Sequence, residues 1–268
     1  MTDSNGTKLA MYSGTVGLVG KREIEKDVDD LVDKLGEWLC GYAIQRVGEA
    51  GVFHLAVSGG STPEKLYVRL MTDPRYRLMP WAKTHLWMVD DRCVPADDER
   101  SNQRMLNELL VEHSGIPRGQ AHMMPVMEAG GAERYEAEMR GWLDVEGVDG
   151  RLDCVLLGMG GDGHTASLFP QSPALGEGER WVVLNDGERV IEPRPRMTMT
   201  YPLINGARRI GVLVTGGGKR EMLGRVSDAG VNGEGDVMEL PILGVTPTDD
   251  DTELTWWLDS AAACGDGV

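Results

Sequence analysis

The feature that most constrains the fold is a repeated pairing of a short apolar run with a Gly-rich turn and a helix. Two glycines follow the run at 52–58, and Pro63 then suits the first turn of a helix. The apolar run at 154–157 also ends in a Gly-rich turn, and the run at 210–214 precedes Gly216-Gly217-Gly218 and a predicted helix at 219–226. Strands that alternate with helices predict an α/β fold with a mainly parallel central sheet and helices on both faces.

The other predicted elements extend this alternation without a repeat or a long linker. Apolar spacing predicts an amphipathic helix from Ile24 to Leu39, and Ser101 is a candidate cap for a helix that runs to about residue 112. A further helix is predicted at 132–143, and further strands are predicted at 84–89, 181–184 and 197–201. The Gly- and Asp-rich segment at 227–240 predicts a mobile loop. We expect an irregular N-terminal segment at 1–20, a single α/β domain at 21–263 and a C-terminal tail at 264–268.

The charge distribution excludes several classes of partner. The net charge is −16, and the last 43 residues contain ten acids and no base. An acidic chain is a poor candidate for binding nucleic acid or an anionic membrane, so neither is expected as a partner. The acidic C-terminal region is interpreted as a solvating surface.

Signals for export or for metal binding are weak. The N-terminus has no basic start followed by an apolar run, which predicts a cytoplasmic protein. The four cysteines (Cys40, Cys93, Cys154 and Cys264) are scattered, so reduced thiols are expected rather than a disulfide framework or a zinc site.

Four polar or Gly-rich segments follow predicted strands, at 58–63, 90–95, 158–170 and 215–219. In an open α/β sheet, ligands gather beyond the carboxyl ends of the strands. These segments therefore predict one binding site at one edge of the sheet.

The first segment has the composition of a phosphate-binding loop. Glycines allow several N–H groups to point at one spot, while hydroxyls and a helix N-terminus add donors. The candidate residues are Ser58, Gly59, Gly60, Ser61 and Thr62. The alternative is an ordinary strand-to-helix turn. The segment is neither a Walker A motif nor a dinucleotide fingerprint.

Cations in the other segments complement such a loop. Arg92 can bind a phosphate, a carboxylate or an oxyanion through two hydrogen bonds, with Asp90 beside it. Arg196 and Lys219 also lie at predicted element ends. Structural ion pairs or solvated surface charges are the alternatives.

The segment at 158–170 carries the candidate base. His164 follows a strand and a turn that contains Gly160, Gly161 and Gly163, and a neutral imidazole there can take a proton from water. Asp162 is close enough in sequence to orient the ring. The other four histidines lack such a setting; two of them, His54 and His85, lie within predicted strands and are interpreted as packing residues.

Together these segments resemble the 6-phosphogluconolactonase family. The resemblance spans about residues 20–263 and rests on the strings LAVSGGSTPEKLY, VDDRCVPADDERSNQRML, LDCVLLGMGGDGHTASLFP, PRMTMTYPLIN and VTGGGKREML. Of these, LGMGGDGHTASLFP is the most specific. Two positions depart from the family's usual pattern: Asp91 stands where Glu is usual, and Ile242 stands where a small residue is usual.

The resemblance implies a modified Rossmann-like fold, related to sugar-phosphate isomerases and deaminases, with no cofactor and no metal. It implies hydrolysis of 6-phosphogluconolactone in the oxidative pentose phosphate pathway. His164 would be the general base and Asp162 its assistant, and Arg92 would lie beside the sugar or the oxyanion. The loop at 58–62, Arg196 and Lys219 would hold the phosphate. A monomer or weak homodimer is expected.

Two other functions remain open at this stage. A glucosamine-6-phosphate deaminase is disfavoured because the residues after His164 are Thr-Ala-Ser-Leu-Phe-Pro rather than a Phe-Asn-Glu-Pro-like run. A non-catalytic sugar-phosphate-binding module is disfavoured by the intact Asp162-Gly163-His164 triplet.

Overall fold

The computed structural model describes residues 17–145, 149–233 and 235–263. The strands within these ranges are β1 (Lys21–Glu25), β2 (Phe53–Val57), β3 (Thr84–Met88), β4 (Asp90–Arg92), β5 (Ala121–His122), β6 (Cys154–Gly158), β7 (Val182–Asn185), β8 (Arg196–Met199), β9 (Arg209–Val214) and β10 (Glu253–Asp259). The α-helices are α1 (Val28–Ala50), α2 (Ser61–Thr72), α3 (Asn102–Leu106), α4 (Glu112–Ser114), α5 (Gly131–Leu143), α6 (Tyr201–Asn205) and α7 (Arg220–Asn232). A π-helical turn at Asn107–Val111 joins α3 to α4, and short 3-10 turns lie at Pro74–Tyr76, Trp81–Lys83, Arg118–Gln120, Pro173–Gly176, Gly217–Lys219 and Pro241–Gly244.

Seven of these strands form a parallel sheet in the order β1-β10-β9-β6-β2-β3-β5. Every residue of β2 and β3 is buried, because a parallel sheet is covered on both faces and needs apolar side chains at successive positions. The predicted α/β class with a mainly parallel sheet and helices is therefore confirmed.

The first helix begins later than its apolar spacing predicts. The side chain of Asp27 accepts hydrogen bonds from the backbone N–H groups of Asp29 and Asp30, at 3.1 and 3.0 Å, and so caps α1. Ile24 lies instead in β1, opposite Leu258 of the last strand. The predicted start at Ile24 is wrong because a strand at the sheet edge is specified by its distant partner rather than by local spacing.

A second, smaller sheet was not anticipated. The strands predicted at 181–184 and 197–201 exist, but they pair antiparallel with β4 in the order β4-β8-β7, outside the central sheet. Val89 joins the two sheets: its N–H donates to the carbonyl of Val57, and its carbonyl accepts from the N–H of Met199. The chain therefore passes directly from β3 into the second sheet.

The C-terminal region is less exposed than its acidity predicts. Strand β10 lies between β1 and β9, and it buries Trp256, Trp257 and Leu258. The interpretation of this region as a solvating surface is wrong for that strand. Helix α7 runs to Asn232, so the predicted mobile loop is wrong for residues 227–232, and the mobility of 235–240 stays a prediction.

The predicted termini lie mostly outside the described residues. Residues 1–16 and 264–268, including Cys264, lie outside the described ranges. Residues 17–20 contact the domain: Leu18 is buried, and the carbonyl of Val19 accepts from the indole N–H of Trp256 at 2.9 Å. The bounds 21–263 stay a prediction. The three described cysteines are free thiols. No helix in the described ranges has the length and apolarity needed to cross a bilayer.

Three buried histidines lie in the core near the amino ends of the parallel strands. His85 Nδ1 lies 2.9 Å from His122 Nε2, and Trp87 donates its indole N–H to His54 Nδ1 at 3.2 Å. The outer end of this row is closed by Glu138, 2.6 Å from His122 Nδ1. Burial, and then repulsion between the rings, lowers the pKa of His54 to about 3 and that of His85 to about 4. Burial also lowers the pKa of His122.

These histidines predict a protein that loses stability in mild acid. Their folded pKa values lie below the ordinary value of about 6.5, so the unfolded chain binds more protons below that pH and stability falls as the pH drops. Urea unfolding at pH 7 and pH 5 should give a loss of about 2 kcal/mol for each histidine that stays neutral.

The variant His54→Gln retains an acceptor for the Trp87 N–H and should reduce this pH-dependent loss by about 2 kcal/mol. The exposed His113 supplies the control, and His113→Gln should leave the loss unchanged. An identical pH dependence in wild type and His54→Gln would contradict the prediction.

Candidate functional site

The four predicted segments meet around one cavity of about 420 Å³ at the carboxyl ends of the parallel strands. The structure places twelve of the predicted site residues in its lining: Ser58, Gly59, Gly60, Ser61, Thr62, Asp90, Arg92, Gly160, Gly161, His164, Arg196 and Lys219. Asp162 and Gly163 are not lining residues, but each forms a hydrogen bond with a residue that lines the cavity: Asp162 with His164, and Gly163 with Gly160. The geometry therefore agrees with a single site at the sheet edge.

The first segment presents an open helix N-terminus to the cavity. Gly60 takes φ 114°, which favours glycine, and no side chain caps α2. The Ser58 hydroxyl is already used, since it donates to the carbonyl of Leu156 at 2.8 Å. The Thr62 hydroxyl lies 2.6 Å from that of Thr215, which joins this segment to the loop after β9. Backbone N–H groups, the Ser61 hydroxyl and the Thr62–Thr215 pair are thus the donors available to an anion.

The second segment divides its side chains between the cavity and the interior. Side chains alternate along a strand, so Asp90 and Arg92 line the cavity while Asp91 points away from it. Asp91 is fully buried and accepts from the backbone N–H groups of Arg92, Asn102 and Gln103, at 2.7, 2.7 and 3.1 Å. Burial raises the pKa of Asp91, and these hydrogen bonds oppose that shift. The shorter carboxylate at this position is therefore an anchor for the start of α3.

The Gly-rich turn after β6 presents His164. Its Nδ1 lies 2.5 Å from Asp162 Oδ1, and its backbone N–H donates to the same oxygen. Burial raises the pKa of Asp162, but the hydrogen bonds and charge of His164 outweigh burial and lower it. Because the carboxylate engages Nδ1, the Nε2 atom remains for chemistry in the cavity.

Glycines in this turn make room for the imidazole. A Cβ on Gly160 would lie 2.1 Å from His164 Nδ1, so only glycine fits there. Gly163 takes φ 83°, and its carbonyl accepts from the backbone N–H of Ile242 at 2.9 Å. Ile242 is buried and thus supports the turn from outside the cavity.

Three cations surround the cavity. In the described part of the chain, no carboxylate lies within 4.0 Å of the cationic nitrogens of Arg92, Arg196 or Lys219. Burial lowers the pKa of Arg196, and repulsion from Arg92 adds to that shift. Burial also lowers the pKa of Lys219, against the attraction of Asp162. Positive groups that lack a counterion and lose hydration favour an anionic ligand.

Sequence reasoning missed several residues of the site. Phe169 packs on His164 with ring centroids 4.6 Å apart, and the carbonyl of Ile191 accepts from Nε and Nη2 of Arg196. The buried Asp259 accepts from the backbone N–H of Gly216 with both oxygens, at 3.0 Å each, and so fixes the loop that carries Lys219. Phe169 lies within the string LGMGGDGHTASLFP, but the string does not show that its ring packs on His164, and Asp259 acts on a loop 43 residues away in the sequence.

Among the described residues, no group of three or more His, Cys, Asp or Glu side chains is placed to hold a metal ion.

Comparison with known proteins identifies what the chain is similar to. Residues 26–256 match the family described as glucosamine-6-phosphate isomerases/6-phosphogluconolactonase. The chain is 41% identical over 245 residues to the GDH/6PGL endoplasmic bifunctional protein of Homo sapiens, a match that covers 88% of this chain but only 29% of that protein. It is 37% identical over 220 residues to a 6-phosphogluconolactonase of Synechocystis, covering 81% of this chain and 85% of the relative.

Solved structures of 6-phosphogluconolactonases also match this chain. The 6-phosphogluconolactonase of Thermotoga maritima matches with a TM-score of 0.73 at 26% identity, over 90% of this chain and 99% of that one. The enzyme of Shewanella baltica matches with a TM-score of 0.73 at 26% identity, over 90% and 98%. A monomeric glucosamine-6-phosphate deaminase shares the fold, with a TM-score of 0.70 at 18% identity over 90% and 98%.

The anchoring role of Asp91 leads to a stability prediction. Asp91→Ala leaves three buried or partly buried N–H groups without their acceptor and should lower the free energy of unfolding by about 3 kcal/mol in urea titrations. The matched variant Asp97→Ala removes an exposed carboxylate nearby and should change it by less than about 0.5 kcal/mol. Equal losses in both variants would show that Asp91 is not an anchor.

Proposed function

This chain belongs to the glucosamine-6-phosphate isomerase/6-phosphogluconolactonase family, and we propose that it hydrolyses 6-phospho-D-glucono-1,5-lactone to 6-phosphogluconate. The observation that carries the proposal is the His164–Asp162 pair at a cavity surrounded by three cations without counterions. The sequence after His164, which lacks the deaminase-like run, supports a lactonase over the deaminases that share the fold. A cytoplasmic location and a monomer or weak homodimer stay part of the proposal.

Substrate binding begins with the phosphate. The open N-terminus of α2, the Thr62–Thr215 hydroxyl pair, Arg196 and Lys219 supply donors and positive charge from two sides of the cavity. Holding the phosphate there converts the attack of water on the lactone into a reaction within one complex.

His164 then acts as the general base. Its Nε2 takes a proton from water while the water oxygen bonds to the lactone carbonyl carbon, and Asp162 stabilises the imidazolium through Nδ1. The tetrahedral intermediate collapses by breaking the bond to the ring oxygen, which takes the proton back from His164. The product is the open-chain acid, which ionises to the carboxylate.

Arg92 is the strongest candidate for stabilising the oxyanion. Two N–H groups of the Gly-rich turn are already occupied: that of Gly160 donates to the carbonyl of His164 at 2.7 Å, and that of Gly163 to the carbonyl of Gly160 at 3.2 Å. A guanidinium in the cavity lining supplies the charge that these backbone groups do not.

The catalytic role of His164 has a direct test. His164→Ala should lower the rate of lactone hydrolysis, corrected for spontaneous opening, by about 10²–10⁴-fold. Binding of 6-phosphogluconate, measured by calorimetry, should survive because the phosphate site is unchanged. The control His113→Ala replaces an exposed histidine outside the cavity and should retain full activity.

Two further measurements separate the rival functions. Ammonia release from glucosamine 6-phosphate would identify a deaminase, and binding of 6-phosphogluconate without any turnover by the wild type would identify a sugar-phosphate-binding module. Near wild-type hydrolysis by His164→Ala would remove that residue from the mechanism.

The phosphate site predicts a change in the Michaelis constant. Lys219→Met should raise KM for the phosphorylated lactone about 10- to 100-fold, since a charge-assisted hydrogen bond contributes about 1.5–3 kcal/mol, and should leave hydrolysis of unphosphorylated gluconolactone unchanged. Lys65→Met, which removes an exposed charge on α2, is the control. An equal loss with both substrates would place Lys219 outside the phosphate site.

A further inference from the structure

Asn102 is buried at the start of α3 and contacts three parts of the cavity wall. Its Oδ1 accepts from Arg92 Nη1 at 2.9 Å, and its Nδ2 donates to the carbonyl of Asp90 at 2.9 Å. A Cβ on Gly59 would lie 2.0 Å from Oδ1, so the phosphate-loop backbone passes directly against the amide. Only 5% of the residue is exposed, and its backbone N–H is held by Asp91. The amide is therefore fixed from both its backbone and its side chain.

The contact with Asn102 engages Nη1 of the Arg92 guanidinium and leaves Nη2 without a protein partner. Nη1 donates to Oδ1 of Asn102 and to the carbonyl of Arg100 at 2.7 Å. Within the described residues, Nε is buried without a partner and Nη2 makes no hydrogen bond. Unlike Nε, Nη2 is not buried, so its N–H groups are the part of the guanidinium that can donate to an oxygen in the cavity.

We propose that Asn102 is a positioning residue, which holds Nη1 of Arg92 so that Nη2 is presented to the reacting carbonyl. The inference rests on the proposed lactonase activity and extends it to a residue that does not itself react.

A neutral amide suits this role better than a carboxylate. Asp in its place would keep an acceptor for Nη1, but its charge would cancel much of the guanidinium charge on which oxyanion binding depends. Its oxygens would also face the carbonyl and carboxylate of Asp90, to which Nδ2 now donates at 2.9 and 3.4 Å. The amide supplies an acceptor to one neighbour and a donor to the other.

The test is a double-mutant cycle between Asn102 and Arg92. Asn102→Ala should lower kcat for the phosphorylated lactone about 10-fold with KM changed less than about 3-fold, because the phosphate donors remain. Arg92→Ala should lower kcat about 10²-fold, and the double variant should be no slower than Arg92→Ala alone. Independent, multiplying losses would show that Asn102 does not act through Arg92 and would overturn the proposal.

Ser101→Ala is the matched control for the fold. The Ser101 hydroxyl accepts from the N–H of Arg104 at 3.3 Å, which caps the same helix, and donates to Asp91 at 3.1 Å, but it forms no hydrogen bond with Arg92. It should lower the melting temperature as Asn102→Ala does while changing kcat less than about 3-fold. Equal losses of kcat in both variants would assign the effect to a loosened helix and reject the proposal.

Asn102→Asp is a second variant for the same test. If Asn102→Ala does not fold, Asn102→Asp keeps the side-chain volume, and the same non-additivity with Arg92→Ala is expected. A wild-type protein without lactonase activity would refute the proposed function, whereas an active wild type with kcat unchanged in Asn102→Ala would refute this inference alone.

Discussion

The parallel hydrogen bonding of the central sheet is the constraint on which the rest of the structure depends. Since β2, β6 and β9 run side by side in the same direction, their carboxyl ends meet at one edge. The phosphate loop, the His164 turn and the loop that carries Lys219 follow those three ends. The antiparallel sheet then adds Arg92 and Arg196, whose backbones are paired directly in the register of β4 and β8.

Carboxylates, buried at Asp91 and Asp259 and half-buried at Asp162, fix the segments that this topology brings together. Asp91 holds the start of α3, Asp162 holds the imidazole, and Asp259 holds Gly216. Each accepts hydrogen bonds from backbone N–H groups or a ring, and none of the three lies within 4.0 Å of the cationic nitrogens of Arg92, Arg196 or Lys219. A chain with a net charge of −16 can thus keep a positive cavity, because local placement of charge governs the potential that a ligand meets.

Much of the fold and the outline of the site could be predicted from the sequence. The apolar runs of β2, β3, β6 and β9 are local signals, and the Gly-rich turn before His164 has a shape that few other residues permit. Strand β1 and the antiparallel pairing of β4 with β8 could not be predicted, because each depends on a distant partner. The same holds for Asp259, whose importance comes from the N–H group of Gly216 that it reaches across the fold.

The position of β10 bears on how the protein is made. This last strand lies between the first strand and β9, and its final residue holds the loop of Lys219. A chain emerging from the ribosome therefore exposes the edge of β9 until β10 has been synthesised. The loop of Lys219 gains the support of Asp259 only when β10 has emerged, so a nascent chain that stops before β10 presents an open sheet edge and an unsupported anion site.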